Sequence, residues 1–372
     1  MKSIGITGQQ GFVGSYVYNR ISLLKDEFSI VPFQDSFFDQ AEALQNWVQQ
    51  CDVIIHLAAL NRHEDPQVIY NTNINLVKSL TEACRLSNHT PQILFSSSTQ
   101  EERDNLYGQS KKKGRELLEK WSEETGAIVT GMIIPNVFGP FGKPFYNSVV
   151  ATFCHQLCNG QTPSIEVDGY LKLIYVDELA DVFIQAIRHK TNDPKMLVPY
   201  TSEQYVSGIL TKLLTYKETY LEKGNMPELP DTFSINLFNT FRSYIDHAVY
   251  FPFKLTQHAD NRGAFVEIVR LGIGGQVSFS TTHPGITRGN HFHTKKIERF
   301  TVIKGKALIQ LRKYNTEEVL NFELDGNEPS YVDMPVWYTH NIKNVGEEEL
   351  YTVFWINEAF DATNPDTYFE IV

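Results

Sequence analysis

The first two-thirds of the chain alternates short apolar runs with longer amphipathic stretches. The runs are SIGIT at 3–7, FSIVPF at 28–33, DVIIHLAA at 52–59, QILFSSS at 92–98 and AIVTGMIIP at 127–135. They are apolar throughout rather than alternately, as strands buried on both faces require. Between them, 73–87 and 110–126 carry helical periodicity. Strand-helix alternation predicts a doubly wound, Rossmann-like parallel α/β sheet with right-handed crossovers.

The texture changes near Asp246. FVEIV, GQVSFSTT, RFTVIKGKALIQLRKY, EVLNFEL, SYVDMPVW and LYTVFWIN follow, with turn residues between many of them and little helical period. Dense short strands predict an antiparallel β-barrel or sandwich. The expected organisation is 1–245 as the α/β domain, 246–252 as linker and 253–372 as the barrel. No Gly/Ser-rich linker separates them, so touching domains are expected. Length agrees: 372 residues exceed the about 250–300 at which single cores stop growing.

Charge narrows the partners. The net charge of −11 disfavours a generic nucleic-acid binder but leaves room for a local basic pocket. No apolar run approaches the roughly 20 residues that span a bilayer, so no membrane partner is expected. The start, MKSIGITG, runs into a strand without a signal-like segment. Cys51, Cys84, Cys154 and Cys158 form no C-x-x-C pair and read as small buried hydrophobes. A cytoplasmic protein acting on small molecules is expected.

Two groups of residues carry chemistry. Gly8, Gly11, Phe12, Val13 and Gly14 lie at the first strand-helix junction, where backbone N–H groups and a helix N-terminus can face a pyrophosphate. Tyr107 and Lys111, four apart, share a helix face. A nearby ammonium is expected to lower the tyrosine pKa and ready it for proton transfer. These motifs resemble the extended short-chain dehydrogenase/reductase family over residues 1–245. The resemblance implies that Asp52 contacts adenine, that Leu57, Ala58 and Pro135 line the cofactor and that Asn73 is structural. Lys111 would also hold the nicotinamide ribose, and Ser98 the substrate oxygen. Thr99 is followed by Gln100 and Glu101 where dehydratases of the family carry Asp-Glu, which favours carbonyl reduction. No acidic residue ends the second strand at Phe33-Gln34, which leans the expectation to NADP(H), although no arginine stands ready for the extra phosphate. Ile133-Ile134 departs from the family, where an arginine is common.

The second group is Gly285, His291, His293, Glu298 and Gly305, with His340 remote. Imidazoles at i and i+2 of a strand face one side, and three imidazoles with one carboxylate suit a first-row divalent metal. Zinc is expected, because nothing calls for redox chemistry; iron, manganese and nickel stay open. The spacing resembles the cupin family. Its second motif fits at Pro335, His340 and Asn344, but Trp337 stands where glycine is usual. Residues 260–267 and 287–291 resemble sugar-nucleotide 3,5-epimerases, which implies a diphosphate contact from Arg262 or Arg288. Tyr338 and His283 are the candidate bases, with Tyr338 preferred.

The order of the two parts and the terminal NPDTYFEIV resemble the bifunctional capsular-polysaccharide enzymes of the CapF type along the whole chain. That implies a UDP-linked 4-keto-6-deoxy-N-acetylhexosamine, epimerised at carbon 3 on zinc and reduced at carbon 4 by NADPH to UDP-N-acetyl-6-deoxytalosamine, en route to UDP-N-acetyl-L-fucosamine. Two alternatives are a non-catalytic sugar-nucleotide sensor or scaffold, and a reductase with a purely structural zinc barrel. A homodimer is the default.

Overall fold

The computed structural model describes all residues except 261–262, 267, 273, 359–360, 362 and 364, with backbone alone for 258–260 and 263–266. Arg262 therefore lies outside the described residues. Packing divides the chain into two units: Met1–Ser148 with Gly169–Tyr205, and Val149–Asp168 with Val206–Val372.

In the first unit the apolar runs become β1 (Lys2–Thr7), β2 (Phe28–Val31), β3 (Val53–His56), β4 (Gln92–Ser98) and β5 (Val129–Ile134), followed by β6 (Asn136–Phe138), β7 (Tyr170–Tyr175), β8 (Asp193–Leu197) and β9 (Ser202–Tyr205). Six of these form a parallel sheet in the order β2-β1-β3-β4-β5-β8, and β6-β7-β9 form a small second sheet. Its helices are α1 (Phe12–Ser22), α2 (Ala41–Val48), α3 (Pro66–Leu86) and α4 (Leu106–Thr125); α5 (Val149–Cys158) belongs to the second unit and α6 (Val176–Arg188) to the first.

Burial of both sheet faces explains why the runs are apolar without alternation. Ile4, Ile6, Val53, Ile55 and Leu94 pack with Val17 and Ile21 of α1 and Phe183 of α6. The intervening Ile54, Ile93 and Phe95 face Trp47 of α2, Leu80 of α3 and Trp121 of α4. Each such fully buried large side chain contributes about 1.5–3 kcal/mol. The strand order reverses between β1 and β3, so the loops after these strands flank the crevice where such sheets bind ligands.

The second unit holds α5, α7 (Val206–Tyr216), a π-helical turn (Lys217–Glu222), α8 (Thr232–Arg242) and α9 (His247–Tyr250). Its strands are β10 (Phe253–Lys254), β11 (Gln257–Asp260), β12 (Gly263–Val266), β13 (Gln276–Thr282), β14 (Thr287–Phe292), β15 (Glu298–Lys304), β16 (Lys306–Lys313), β17 (Val319–Asp325), β18 (Ser330–Met334), β19 (Tyr338–Asn344), β20 (Leu350–Ile356) and β21 (Tyr368–Phe369). Two antiparallel sheets, β10-β18-β15-β20-β13 and β17-β16-β19-β14-β21, share one core through Val302, Val332, Ile309, Leu311, Phe322 and Ile342. This is the cupin-like all-β domain expected.

The packing boundary falls at 205/206, ahead of the expected 246–252 linker. Buried side chains join the helices to the barrel. Arg299 pairs with Asp333 through two hydrogen bonds of 2.8 and 2.9 Å and donates to the Gly224 carbonyl at 2.8 Å. The Tyr220 hydroxyl donates to Asp333 at 2.6 Å, and Arg242 donates to the Met334 carbonyl at 3.1 Å. Arg299 is thereby paired through all three guanidinium nitrogens, as a buried charge requires. Among the described residues no helix is long and apolar enough to cross a membrane.

Candidate active site and metal centre

At the end of β1, Gly8 has φ +69°, and a Cβ on Gly14 would lie 2.1 Å from the Gly8 carbonyl, so α1 can start only against a bare backbone. Phe12 and Val13 form the first turn of α1. Leu57 and Ala58 leave β3 beside this turn, their N–H groups donating to the Thr7 carbonyl and to Thr7 Oγ1, both at 3.2 Å. Asp52 is elsewhere. It precedes β3, and its carboxylate accepts the Ser3 N–H at 2.7 Å. The four residues of β3 put about 13 Å of strand between Asp52 and the crevice, which corrects the expected adenine contact. Pro135 joins β5 to β6.

Ser98 ends β4, and Tyr107 and Lys111 ride on the first turns of α4. A Cβ on Gly108 would come within 1.9 Å of the Gln100 carbonyl, so glycine alone lets α4 approach the turn that Ser98 caps. Asn73 fixes the rest. It bonds both backbone groups of Leu60, at 2.7 and 3.1 Å, and donates to Ser110 Oγ at 3.0 Å, tying the loop after β3 to α4.

Lys111 is buried and donates to the Ser96 carbonyl at 2.9 Å. Burial lowers its pKa to about 8. Burial, with the nearby Tyr146, pushes the Tyr107 hydroxyl up to about 12. The expected lowering of Tyr107 is therefore absent: desolvation outweighs the ammonium, which is turned to Ser96 and lies 5.9 Å from the tyrosine ring centroid. Tyr107 stands as a protonated acid. Glu101 is not a free base. Arg115 holds both its oxygens at 3.0–3.2 Å, and Ser97 Oγ donates to it as well.

In the barrel, β14, β15 and β19 converge. The ligand-capable atoms of His291, His293, Glu298 and His340 all lie within 4.8 Å of one another. Glu298 Oε2 is 3.1 Å from His293 Nε2, 3.2 Å from His340 Nε2 and 4.0 Å from His291 Nε2. Yet the first three of these atoms are buried without a hydrogen bond of proper geometry. Buried polar atoms that converge unpaired fit a shared cation. Burial opposes the charge on Glu298, but the close imidazoles of His293 and His340 hold its carboxyl well below the usual range. The His291 side chain, 22% exposed, is the accessible rim.

Three positions of the two barrel motifs share left-handed backbone: Gly285 at φ +78°, Gly305 at +85° and Trp337 at +62°. Trp337 thus adopts the conformation for which glycine is usual. Its ring is buried and stacks on Phe292 at 5.6 Å, which offsets the strain. Asn344 bridges the Thr282 and Glu348 carbonyls at 2.8 Å each.

Arg288 is exposed on β14. A bulge between Gly289 and His291 pairs Arg288 with Ile342 and His291 with His340, so both side chains share one sheet face. Tyr338 shares β19 with His340, its ring edge-on to His247 at 5.4 Å; burial, with Glu318, raises its hydroxyl to about 12. His283 is 84% exposed and lies 3.8 Å from Glu349, apart from the cluster. One contributor escaped the sequence reading. The Asp366 carbonyl accepts from His293 Nδ1 at 2.5 Å. Its only signal was the terminal NPDTYFEIV.

The fold is thus a Rossmann-like unit bearing a Tyr-x-x-x-Lys constellation, with a cupin-like barrel bearing a ligand cluster. Residues 4–198 match the NAD dependent epimerase/dehydratase family and residues 258–368 match the polysaccharide biosynthesis C-terminal domain. The UDP-2-acetamido-2,6-beta-L-arabino-hexul-4-ose reductase of Pseudomonas aeruginosa is 33% identical over 98% of this chain and 97% of its own. The crystal structure of the capsular polysaccharide assembling protein CapF from Staphylococcus aureus covers 100% of both chains at 33% identity, with a TM-score of 0.63. The spore coat polysaccharide biosynthesis protein SpsL of Bacillus subtilis is 27% identical over 30% of this chain and 82% of its own. The chain belongs to the NAD dependent epimerase/dehydratase family and, within it, to the CapF type, in which that unit is joined to a polysaccharide-biosynthesis C-terminal domain.

Proposed function

We propose that the chain is a two-site UDP-sugar enzyme of capsule or O-antigen biosynthesis. The barrel inverts carbon 3 of a UDP-linked 4-keto-6-deoxy-N-acetylhexosamine. The α/β unit then reduces the 4-keto group with NADPH to UDP-N-acetyl-6-deoxytalosamine, a precursor of UDP-N-acetyl-L-fucosamine. The Pseudomonas relative, named for reducing a UDP-linked hexul-4-ose, supports the substrate class. The observation that carries the reading is one chain holding two separate constellations, Ser98-Tyr107-Lys111 and His291-His293-Glu298-His340.

NADPH, when bound, supplies the hydride. The N–H groups of the Gly8–Gly14 turn hold its pyrophosphate. Ser98 holds the substrate carbonyl oxygen, and Tyr107, kept protonated by burial, gives that oxygen its proton. Lys111 binds the ribose and keeps the site cationic. In the barrel a divalent cation, zinc by preference, supplies Lewis acidity that makes the carbon 3 proton removable. His291, His293, Glu298 and His340 would hold it, Arg288 would face the diphosphate and Tyr338 is the candidate base. The accessible rim at His291 favours a catalytic over a purely structural metal. A homodimer in the cytoplasm completes the proposal.

The test is one assay in deuterated water. Without cofactor, the keto-sugar should gain deuterium at carbon 3; with NADPH, absorbance at its reduced band should fall. Exchange that persists after metal stripping or in His291→Ala would sink the metal role. NADPH binding without oxidation would favour a sensor.

A further inference from the structure

Two imidazoles of the cluster are anchored through a backbone carbonyl. His340 Nδ1 lies 3.1 Å from the Tyr338 carbonyl, two residues back on the same strand. His293 has no equivalent, because β14 ends at Phe292. Its acceptor comes from 73 residues further along, the Asp366 carbonyl at 2.5 Å. A carbonyl only accepts, so His293 Nδ1 carries a hydrogen and Nε2, 3.1 Å from Glu298 Oε2, is the ring atom left to ligate a cation.

The Asp366 carboxylate explains why that carbonyl is in place. It accepts from Thr294 N at 3.1 Å, Thr294 Oγ1 at 2.7 Å, Lys295 N at 2.9 Å and Lys296 N at 3.1 Å. The residue has φ +42°, a region that aspartate and asparagine tolerate better than most side chains. Both flanks are braced. Lys296 Nζ donates to the Pro365 carbonyl at 2.9 Å, and Tyr368 stacks on Phe292 at 5.2 Å. Arg312 holds Glu370 at 2.5 Å.

We propose that Asp366 is a positioning residue of the metal centre: its carboxylate locks the loop after β14 while its carbonyl fixes the tautomer and aim of His293. The inference rests on the metal reading above. It differs from that reading in assigning the precision of one ligand to a residue outside the cluster.

The full-length protein, stripped of metal, is titrated with Zn2+ against a chromophoric chelator, and the Co2+ form is read by its visible d–d band. Loss of such an outer partner weakens metal binding by about 10–100-fold, and Asp366→Ala should fall in that range with a shifted Co2+ band. Asp366→Asn keeps one acceptor oxygen and the left-handed tendency, so its loss should be smaller and its melting temperature close to wild type. Asp366→Ala with wild-type affinity and an unchanged band would overturn the inference; if Asp366→Ala does not fold, Asp366→Asn with both wild-type values does the same. Wild-type protein that takes up neither Zn2+ nor Co2+ would remove the metal reading itself, and this inference with it.

Discussion

The two constellations differ in how complete they are on their own. In the α/β unit three side chains that position Tyr107 are already paired: Lys111 to Ser96, Glu101 to Arg115 and Ser97, Asn73 to Leu60 and Ser110. In the barrel, buried atoms of His293, Glu298 and His340 converge without proper hydrogen bonds. Leaving such atoms unpaired costs about 1–3 kcal/mol each. The first site is a preformed cradle that stands without its ligand. The second is arranged around one.

The largest break in that comparison comes from Tyr107→Phe. Removing the proton donor should lower the reduction rate by about 10²–10⁴-fold. NADPH affinity and deuterium exchange at carbon 3 should be unchanged, since the preformed cradle and the barrel are untouched. Loss of both reactions, measured by cofactor oxidation and by mass spectrometry, would show that the sites are not separate.

Metal removal should act on the barrel alone. A cation at 100 times its Kd stabilises the state that binds it by about 2.7 kcal/mol. Chelation should therefore lower the melting temperature of the second unit, read by differential scanning calorimetry, and Glu298→Gln should weaken that response. An equal melting temperature with and without chelator would place the unpaired atoms in some other arrangement.

The same contrast governs what the sequence could reveal. The parallel sheet was legible because burial on both faces imposes continuous apolar runs such as Val53–Ile55. The ligand cluster was legible because i, i+2 histidines face one side and because Gly285 and Gly305 mark left-handed backbone; Trp337, which broke the pattern, occupies the same conformation. Three things were hidden. Asp52 looked like a cofactor contact, but strand direction places it at the far end of β3. The helices after residue 206 share the period of the sheet's helices, and long-range bonds such as Tyr220 to Asp333 and Arg242 to Met334 pack them with the barrel. Asp366 acts across 73 residues, a separation that carries no local pattern.

A smaller effect sharpens the geometry of the preformed site. Gly108→Ala would set a Cβ 1.9 Å from the Gln100 carbonyl. Overpacking of this kind costs about 1–3 kcal/mol, and relief requires α4 to back away from the Ser98 turn. Reduction should fall more than thermal stability does, and exchange should persist. Unchanged reduction in a normally folded variant would show that the Ser98–Tyr107 spacing is not critical.

The smallest expected effect is a pH limb that belongs to one site only. Burial holds Lys111 at about 8, so it is charged below that pH and neutral above it. Tyr107, at about 12, stays protonated throughout the accessible range. For reduction, kcat/KM reports the free enzyme, so it should be flat below about pH 8 and fall by about tenfold per unit above it. Lys111→Arg should carry its charge past that range and flatten the limb, whatever the loss in absolute rate, because a guanidinium does not deprotonate in proteins. Exchange at carbon 3 should show no such limb in either protein. A reduction rate that rises above pH 8 would mean that the neutral amine is the working form and that the cation only hinders. The preformed site would then need its ligand to complete it after all, and the contrast with the barrel would narrow.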